Sequence, residues 1–583
     1  MLGDIIGFYN REQKPQWRQH FDRKDLSDND LIDDSECIAD MKQASCFQDK
    51  RSFVYKYVFP EQEYKLKKGR SVIISNNTNP DRSDYAGKIQ ELDQIKRTLL
   101  LRKGISKDEK KLPRTLSISE KVMEHARFEN LNKNIYSFCE NVIEKKSGFE
   151  AIKSFLNRDI PKIKGKKLGE KIIKSENFTE EIPNIINNLE KSYLYLQGPP
   201  GSGKTYQAAN AIIELLKNKK KVAVTANSHK VIHNLLGRIE KLASNQNFIF
   251  KGLKMGNIEN EDTYFNGELI KTDKNEKHFI NELRENKTLL YAGTKYHLSQ
   301  FYYRNKLDYL FVDEASQISV ADLVALGGIA KNIILVGDQM QLGQPVQGSH
   351  PGESGKSVLD FLLEGKDTIG ENKGIFLNKT YRLHPSINDF TSKNFYENRL
   401  LINDHNINRQ IEYKKNSIIT KEGIHTILMN HKNRAQTCVE EFVIIKKLMD
   451  QLIGCKFKDY DNSERKISIN DILIVSPFNA QVNFLKSRLH KDAQCGTIDK
   501  FQGAEAPITI ISMTSSSVED LPRNKKFFFN RNRLNVAISR AQCSSILLLN
   551  PKLLETPPSD YDEFKLLNYF QKLMNFERKI DIN

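Results

Sequence analysis

The sequence predicts two consecutive α/β domains with parallel sheets, preceded by a small β-rich domain and a helical segment. Short apolar runs alternate with helix-forming stretches from Tyr193 onward, and this alternation starts a second time after about Gly423. Upstream, segments such as SFVYKYVF and SVIIS mix alternating apolar and β-branched residues with turn residues. A βα alternation is typical of a parallel sheet covered by helices on both faces, whereas the upstream pattern favours β-structure.

The length of the chain requires several domains, because 583 residues are too many for one hydrophobic core. Polar residues 1–50 remain unassigned, and a stretch rich in Lys and Asn at about 245–288 is predicted to be an insertion. Four further regions are predicted. They are a β-rich domain at 51–110, for which a barrel is one candidate form, a helical stalk and basic connector at 111–184, a first α/β domain at 185–370 and a second at 371–583.

Composition limits the functional classes. With 90 Lys and Arg against 74 Asp and Glu, the net charge of +16 fits an extended anionic partner, but it fits a merely solvated Lys-rich surface equally well. Seven scattered cysteines without a C-x-x-C pair argue against a zinc module, an iron–sulfur cluster or a disulfide framework. The sequence has neither a long apolar run nor a signal-peptide layout, so we expect a soluble, cytoplasmic protein.

A phosphate-binding loop lies between a predicted strand and an amphipathic helix. Its sequence GPPGSGKT matches the pattern G-x-x-x-x-G-K-[ST], in which backbone amides and a lysine hold phosphate oxygens and the final hydroxyl binds Mg²⁺. A simple Gly/Pro-rich turn is disfavoured because strand, loop and helix occur together. The predicted ATP-binding residues of this loop are Gly198, Pro199, Pro200, Gly201, Ser202, Gly203, Lys204 and Thr205.

Two further strand ends carry candidate catalytic groups. In LDYLFVDEASQ, Asp313 is predicted to hold the metal and Glu314 to accept a proton from the attacking water, which favours hydrolysis over transfer to a substrate hydroxyl. In NIILVGDQMQLGQP, Gln341 follows Gly337 and Asp338 and is predicted to sense the γ-phosphate. Alone, either stretch would be interpreted as an ordinary polar turn. Their positions after the phosphate loop, each at the end of an apolar strand, favour a catalytic role instead.

The ordered motifs resemble those of the superfamily 1 helicases. QGPPGSGKT, VAVTANSHKVIHNLL, FVDEASQ, GDQMQLGQP, YRLHPSI, GTIDKFQGAEA and RLNVAISRA span residues 193–550 and look most like the 1B branch, which contains the nonsense-mediated-decay helicase. The resemblance implies two tandem RecA-like P-loop domains and an accessory barrel. Upstream, FYNREQKPQWRQHFDR and RSFVYKYVFPEQEYKL resemble the junction between a RecB-like nuclease and such a helicase in bacterial fusions, so the chain is expected to begin where that nuclease would end.

The resemblance assigns further roles by position. Tyr381 matches the adenine-stacking tyrosine, Arg382 and Arg540 match two arginines that reach the γ-phosphate, and Gln502, Gly503 and Glu505 match the loop linking nucleotide and nucleic-acid sites. Arginine suits these roles because its planar fork meets phosphoryl oxygens. The predicted catalytic set is Lys204, Glu314, Gln341, Arg382 and Arg540. The predicted nucleic-acid contacts are Thr225, Asn227, Ser228, His229, Thr294, Phe478, Asn479 and Thr497.

Two departures restrict what the resemblance implies. The family's upstream adenine-reading glutamine is not evident in EEIPNIINNLEKS before Tyr193, so strict ATP preference does not follow. The cysteine-rich module of the RNA-decay member is absent from the sequence, so a role in RNA decay is not implied.

The sequence thus predicts an ATP-dependent translocase of single-stranded nucleic acid, with Mg²⁺ as cofactor. The resemblance implies a 5′–3′ DNA helicase in repair or processing, acting as a monomer on single-stranded DNA or RNA, with a separate nuclease as a possible partner. Two alternatives are a nucleic-acid-stimulated ATPase that remodels protein–nucleic-acid complexes without unwinding, and an inactive remnant. The remnant is disfavoured because the following residues are all intact: Lys204, Asp313, Glu314, Arg382 and Arg540.

Overall fold

The computed structural model describes the chain except for residues 63, 78–83, 95, 106–110, 122–127, 176, 522–524, 556, 577 and 582–583. The chain divides into two compact units. The larger contains Met1–Ile5, Asn130–Pro345 and Glu353–Asn583, and the smaller contains Ile6–Glu129 with Val346–Gly352. Within the described residues, no helix combines the length and apolarity needed to cross a membrane.

The N-terminal part folds into short helices followed by a closed β-barrel. The strand order is β1-β2-β5-β4-β3-β6, with antiparallel neighbours. Apolar side chains including Tyr57, Leu99 and Ile118 fill its interior. The elements are α1 (Leu2–Ile6), α2 (Phe8–Lys24), α3 (Asp28–Ile32), β1 (Cys37–Asp49), β2 (Ser52–Val58), β3 (Ser71–Ile74), β4 (Tyr85–Asp93), β5 (Thr98–Gly104) and β6 (Thr115–Glu120).

The barrel extends beyond the predicted range 51–110 at both ends, because β1 and β6 lie outside it. β1 lacks a simple alternation: its first residues are buried in succession and its last residues are mostly exposed. Its pairing also shifts register between Gln43 and Ser45 and between Ile38 and Met41. A strand with such irregularities gives no period-two signal in the sequence.

The segment before the phosphate loop contributes three helices to the larger unit: α4 (Glu129–Ile143), α5 (Glu150–Leu156) and α6 (Phe178–Asn187). The basic connector between α5 and α6 is anchored rather than free. Ile163 and Ile172 are buried in the core that also holds α6, and the Ile172 amide donates to the Glu371 carbonyl at 2.9 Å.

The first α/β domain is an all-parallel sheet of eight strands in the order β10-β9-β11-β8-β12-β13-β7-β14. β7 is buried at every residue, as expected for a strand covered by helices on both faces. The elements are β7 (Tyr193–Gln197), α7 (Lys204–Lys217), β8 (Val222–Thr225), α8 (His229–Asn245), β9 (Gly252–Met255), β10 (Ile270–Asp273), α9 (Glu276–Glu285), β11 (Leu290–Ala292), α10 (Lys295–Leu298), β12 (Leu307–Val312), α11 (Val320–Leu326), β13 (Ala330–Gly337), α12 (Val358–Leu363) and β14 (Gly374–Phe376).

Two features of this domain differ from the sequence prediction. The stretch 245–288, predicted as an insertion between strands of this domain, lies between β8 and β11 along the chain, but its strands β9 and β10 extend the parallel sheet at one edge. These strands have four residues each and include Lys and Asp, so they are too short and polar to be recognised in the sequence. At the other edge, β14 pairs with β7 and lies beyond the predicted boundary at 370.

The second α/β domain has a six-stranded parallel sheet in the order β22-β21-β23-β24-β18-β25. Two small sheets, β15-β16 and β17-β19-β20, accompany it. The elements are β15 (Lys379–Thr380), α13 (Pro385–Phe395), β16 (Leu401–Ile402), β17 (Gln410–Glu412), β18 (Gly423–Leu428), α14 (Val439–Leu452), β19 (Lys456–Lys458), β20 (Glu464–Lys466), β21 (Ile472–Ser476), α15 (Asn479–Arg488), β22 (Gln494–Thr497), β23 (Ala506–Ser512), α16 (Lys525–Phe528), α17 (Arg531–Ile538), β24 (Ala541–Leu549), α18 (Tyr561–Phe576) and β25 (Arg578–Asp581).

Candidate nucleotide and nucleic-acid sites

The phosphate loop joins the carboxyl end of β7 to the first residue of α7. A Cβ atom added to Gly198 would lie 1.9 Å from Lys204 Cγ, so the lysine side chain lies directly over this glycine. The Ser202 hydroxyl donates to the Pro199 carbonyl at 2.8 Å and holds the loop in its turn. The lysine side chain and the N-terminus of α7 therefore lie at the same loop, an arrangement suited to binding phosphate.

Asp313 and Glu314 follow the carboxyl end of β12. The Glu314 amide donates to Asp313 Oδ1 at 2.9 Å, and Asp313 is only 3% exposed. Burial raises the pKa of Asp313 to about 7, the charge of Glu314 adds to this rise, and the charge of Lys204 opposes it. Asp313 thus lies in a dry environment in which its charged form needs a cation.

Glu314 has two unusual features. Its φ of +48° lies in the left-handed region, which costs a residue with a Cβ about 1–3 kcal/mol and is enriched at functional sites. Its Oε2 atom is buried and accepts no hydrogen bond from the described residues. A buried acceptor without a donor fits the predicted role of accepting a proton from water.

The carboxyl end of β13 presents Asp338 and Gln341. Both are buried, and Gln341 Nε2 donates to Asp338 Oδ2 at 2.9 Å. Burial raises the pKa of Asp338, whereas the Lys204 charge and hydrogen bonds from Gln341 and Tyr396 lower it. Lys204 therefore acts on both carboxylates at the strand ends.

The segment around Tyr381 packs directly on the phosphate loop. The Tyr381 amide donates to the Gly201 carbonyl at 2.9 Å, and Thr380 Oγ1 donates to the Pro200 carbonyl at 2.9 Å. A Cβ atom on Gly201, whose φ is +72°, would lie 2.3 Å from Arg382 Cβ. Tyr381 is 55% exposed beside this contact, as a residue that stacks on a base would be.

Arg382 is held by an acidic side chain of the second domain. Its Nε lies 2.5 Å from Glu505 Oε2, and its Nη1 donates to the Ser539 carbonyl at 3.2 Å. Glu505 also accepts from Gln542 Nε2 at 3.1 Å. Burial works to raise the pKa of Glu505, but Arg382 outweighs it and the pKa is lowered. Arg382 and Glu505, which have separate predicted roles, form one ion pair in the structure.

Arg540 is 2% exposed, and no described carboxylate forms an ion pair with it. Its Nε donates to the Val536 carbonyl at 3.1 Å and its Nη1 to the Ala504 carbonyl at 3.0 Å. Burial and the nearby Arg382 charge lower the pKa of Arg540 to about 9, and the charge of Glu314 opposes this shift. A buried guanidinium that has only carbonyl partners is costly, and an anion would compensate it.

The remaining ATP-site candidate is the loop that precedes β23. Gly503 has a φ of +81°, a left-handed conformation that favours glycine. Gln502 Nε2 is buried and donates to no described acceptor. The carbonyl of Ala504, which follows Gly503, accepts a hydrogen bond from Arg540. This bond connects the loop to the arginine.

The predicted nucleic-acid contacts follow the carboxyl ends of strands in both domains. In the first domain, Ser228 caps α8 by accepting from the Val231 amide at 3.3 Å, and Asn227 Nδ2 donates to Gln317 Oε1 at 3.3 Å. Both are exposed, as is Asn479 at the start of α15 in the second domain. Residues His229, Thr294 and Thr497 are half-buried.

Two members of this predicted set are buried. Thr225 is fully buried in β8, and Phe478 is 5% exposed and stacks on Phe528 with ring centroids 6.0 Å apart. Their side chains therefore support the loops from inside. Their predicted contact with nucleic acid is therefore wrong, because the sequence does not distinguish which residue at a strand end turns inward.

Sequence reasoning missed the residues that hold the Tyr381 segment. The Arg409 guanidinium is bound at Nε to Asp459 Oδ1 at 2.8 Å, and its Nη1 donates to the carbonyls of Tyr381 at 3.0 Å and of Arg382. Asn406 Nδ2 donates to the Thr380 carbonyl at 3.0 Å. Neither residue belongs to a recognisable motif, so no signal in the sequence identified them.

Known protein families and relatives match the two α/β domains of the chain. Two AAA domain families match consecutive parts of the chain, at residues 184–353 and 355–552. The dna2 DNA replication ATP-dependent helicase/nuclease of Schizosaccharomyces pombe is 25% identical over 380 residues, which cover 61% of this chain and 26% of the relative. The Arabidopsis thaliana homolog of regulator of nonsense transcripts 1 is 24% identical over 431 residues, covering 64% of this chain and 32% of the relative.

A third relative and one solved structure complete the comparison. The DNA polymerase alpha-associated DNA helicase A of Schizosaccharomyces pombe is 24% identical and covers 60% of both chains. The chain thus spans less than two thirds of each of these relatives. The crystal structure of arterivirus nonstructural protein 10, a helicase, has a TM-score of 0.38 and 10% identity over 91% of this chain and 80% of that chain. On the matched AAA domains and these relatives, the chain belongs to the superfamily 1 helicases of the DNA2/NAM7 type.

Proposed function

We propose that this protein is an ATP-driven translocase of single-stranded nucleic acid, acting as a 5′–3′ DNA helicase in repair or processing. The observation that carries this proposal is the position of Arg540. It lies in the second domain, is buried without a carboxylate partner, and is close enough to Glu314 of the first domain for that charge to affect its pKa. A guanidinium placed this way fits the γ-phosphate of a nucleotide held between the two domains.

Several groups would bind the nucleotide. Lys204 and the amides of the phosphate loop would hold the phosphates, and Tyr381 would stack on the base. The Thr205 hydroxyl and the buried Asp313 carboxylate supply oxygen donors of the kind that Mg²⁺ prefers, so they would hold this ion. When bound, Mg²⁺ would neutralise charge on the phosphate oxygens.

Hydrolysis needs a proton acceptor and charge stabilisation. Glu314 Oε2 would take the proton of the attacking water, since this atom is buried and receives no hydrogen bond from a described residue. Arg540 and Arg382 would meet the charge that develops on the γ-phosphate. Arg382 must first leave Glu505, which lies 2.5 Å away, so this ion pair would act as a latch that ATP opens.

Movement along a strand would follow from grips in both domains. The exposed Asn227 and Ser228 in the first domain and Asn479 in the second lie at carboxyl ends of parallel strands. Polar side chains and helix N-termini at such places contact sugar and phosphate rather than bases. If ATP closes and hydrolysis opens the cleft, alternating grips produce steps. The 5′–3′ direction, the preference for DNA, the monomeric state and a nuclease partner are proposed from the family resemblance alone.

Strand displacement tests the proposed helicase activity. We expect the wild-type chain with ATP to unwind a duplex that has a 5′ single-stranded tail and to leave 3′-tailed and blunt duplexes intact, as followed by release of a labelled strand. Lys204→Ala serves as the inactive control. Unwinding only from 3′ tails would contradict the polarity. ATP hydrolysis stimulated by strands without any displacement would replace the helicase by the remodelling ATPase.

Glu314→Gln tests the proposed base. The amide keeps the shape of the side chain but cannot take a proton, so we expect ATP binding to persist while turnover falls by about 10²–10⁴-fold. Steady-state turnover and equilibrium binding of a fluorescent ATP analogue measure the two effects. Glu259→Gln, at an exposed position, is the matched control and should match the wild type. Normal hydrolysis by Glu314→Gln would show that water is activated elsewhere.

Arg540→Ala tests whether the second domain completes the site. We expect kcat to fall by roughly 10³–10⁵-fold, with a smaller change in KM for ATP, because the arginine acts mainly in the transition state. Arg540→Lys should recover little, since a point charge lacks the planar fork. Arg488→Ala removes an exposed arginine of the same domain and should hydrolyse ATP normally. If Arg540→Ala turns over ATP like the wild type with single strands bound, the two-domain mechanism is wrong.

A further inference from the structure

A series of hydrogen bonds between buried groups connects the loop after β13 to the helix that precedes Arg540. Asp338 Oδ2 accepts from Gln341 Nε2 at 2.9 Å and from the Tyr396 hydroxyl at 2.7 Å. The Tyr396 oxygen in turn accepts from Asn535 Nδ2 at 2.9 Å. All four side chains are at most 3% exposed, so water does not compete for these bonds.

The direction of each bond is fixed by chemistry. An amide nitrogen only donates, so Asn535 must give a proton to the Tyr396 oxygen, and the single hydroxyl proton of Tyr396 is left for the Asp338 carboxylate. Burial, and after it the charge of Asp338, raise the pKa of Tyr396, so the hydroxyl keeps its proton and remains a donor. Tyr396 is thus the one side chain that bonds both Asp338 and Asn535 among the described residues.

The far end of this series reaches Arg540. Asn535 lies in α17, and the carbonyl of the following residue, Val536, accepts from Arg540 Nε at 3.1 Å. The same helix also holds the loop backbone, because Asn535 Nδ2 donates to the Met340 carbonyl at 2.7 Å and Asn532 Nδ2 to the Gln339 carbonyl at 2.7 Å. A displacement of the loop would therefore displace the helix that precedes Arg540 and accepts its hydrogen bond.

We propose that Tyr396 is a positioning residue that couples the γ-phosphate sensor Gln341 to Arg540. Asp338 Oδ2 is shared by Gln341 and Tyr396, so rotation of Gln341 toward a phosphate leaves Tyr396 as the side-chain donor to that oxygen. The hydrogen bond from Tyr396 to Asp338 then becomes stronger and shifts the Tyr396 hydroxyl. Through its bond with Asn535, this shift moves α17. This inference rests on the proposed nucleotide site and adds a residue outside the recognised motifs.

Tyr396→Phe removes only the hydroxyl and keeps the ring that packs near Phe376. We expect kcat for ATP to fall by about tenfold while KM changes by less than about threefold, because the lost hydrogen bond to a charged group positions Arg540 rather than binding ATP. Tyr195→Phe is the matched control: Tyr195 is equally buried and its hydroxyl donates to Gln339 Oε1 at 3.1 Å in the same loop, but not to Asp338. Its kcat should equal that of the wild type.

Asn535→Ala removes the next hydrogen bond of the same series, on the side of α17. It keeps the proposal testable if the tyrosine variant misfolds. Asn535→Ala should also lower kcat. The double variant should be no slower than Asn535→Ala alone, because both changes interrupt the same series of hydrogen bonds. Wild-type kcat in Tyr396→Phe, an equal loss in Tyr195→Phe, or losses that multiply in the double variant would each overturn the proposal. These comparisons use ATP turnover without nucleic acid, so they stand even if wild-type turnover proves insensitive to strands and the translocase proposal fails.

Discussion

Buried charge without an ion-pair partner is the constraint on which this structure depends. Asp313, Asp338 and Arg540 are each at most 3% exposed, and no described residue forms an ion pair with any of them. Burying unpaired charges costs several kcal/mol per ion, so a protein retains them where a ligand supplies the missing charge. In the proposed site, a nucleoside triphosphate with its metal would bring both signs to one place, which would account for acidic and basic groups without ion-pair partners on the two domains.

The parallel sheets determine the positions of these charged side chains. β7, β8, β12 and β13 are neighbours in the first sheet and all point the same way, so the residues that follow them converge on one edge. The second sheet repeats this geometry. Hydrogen bonds from Tyr381 and Thr380 to the phosphate loop bring a segment of the second half of the chain to that edge. The candidate groups are thus divided between two parallel sheets, and the proposed motor would need the two domains to close on the nucleotide.

The smaller unit contains a feature that the sequence did not indicate. Residues Val346–Gly352 follow Gln341 by a few positions, yet they belong to the compact unit of the barrel. There Glu12 accepts from the Gly348 amide at 2.9 Å and from His350 Nε2 at 2.6 Å, and Phe8 stacks on the His350 ring at 4.3 Å. This segment, which follows Gln341 along the chain, is therefore anchored in the smaller unit.

Local patterns in the sequence indicated those parts of the candidate site whose residues are neighbours along the chain. The phosphate loop and the Asp313–Glu314 pair were recognisable because a strand, a short polar stretch and a helix follow each other along the chain. Long-range contacts left no such signal: Tyr396 and Asn535 are 139 positions apart, and the Arg382–Glu505 pair spans 123 positions. Phe478 was misjudged for a related reason, since its burial depends on Phe528. The barrel boundaries were missed because β1 is irregular.

The most direct test of this account is the ATP turnover rate of the wild-type chain, measured at saturating ATP and Mg²⁺ with single-stranded DNA, with single-stranded RNA and with neither. If strands bound across both domains favour the closed cleft, turnover should rise severalfold with at least one nucleic acid, and more with DNA than with RNA. Turnover that is the same in all three conditions would contradict the claim that this cleft couples ATP hydrolysis to a nucleic-acid strand.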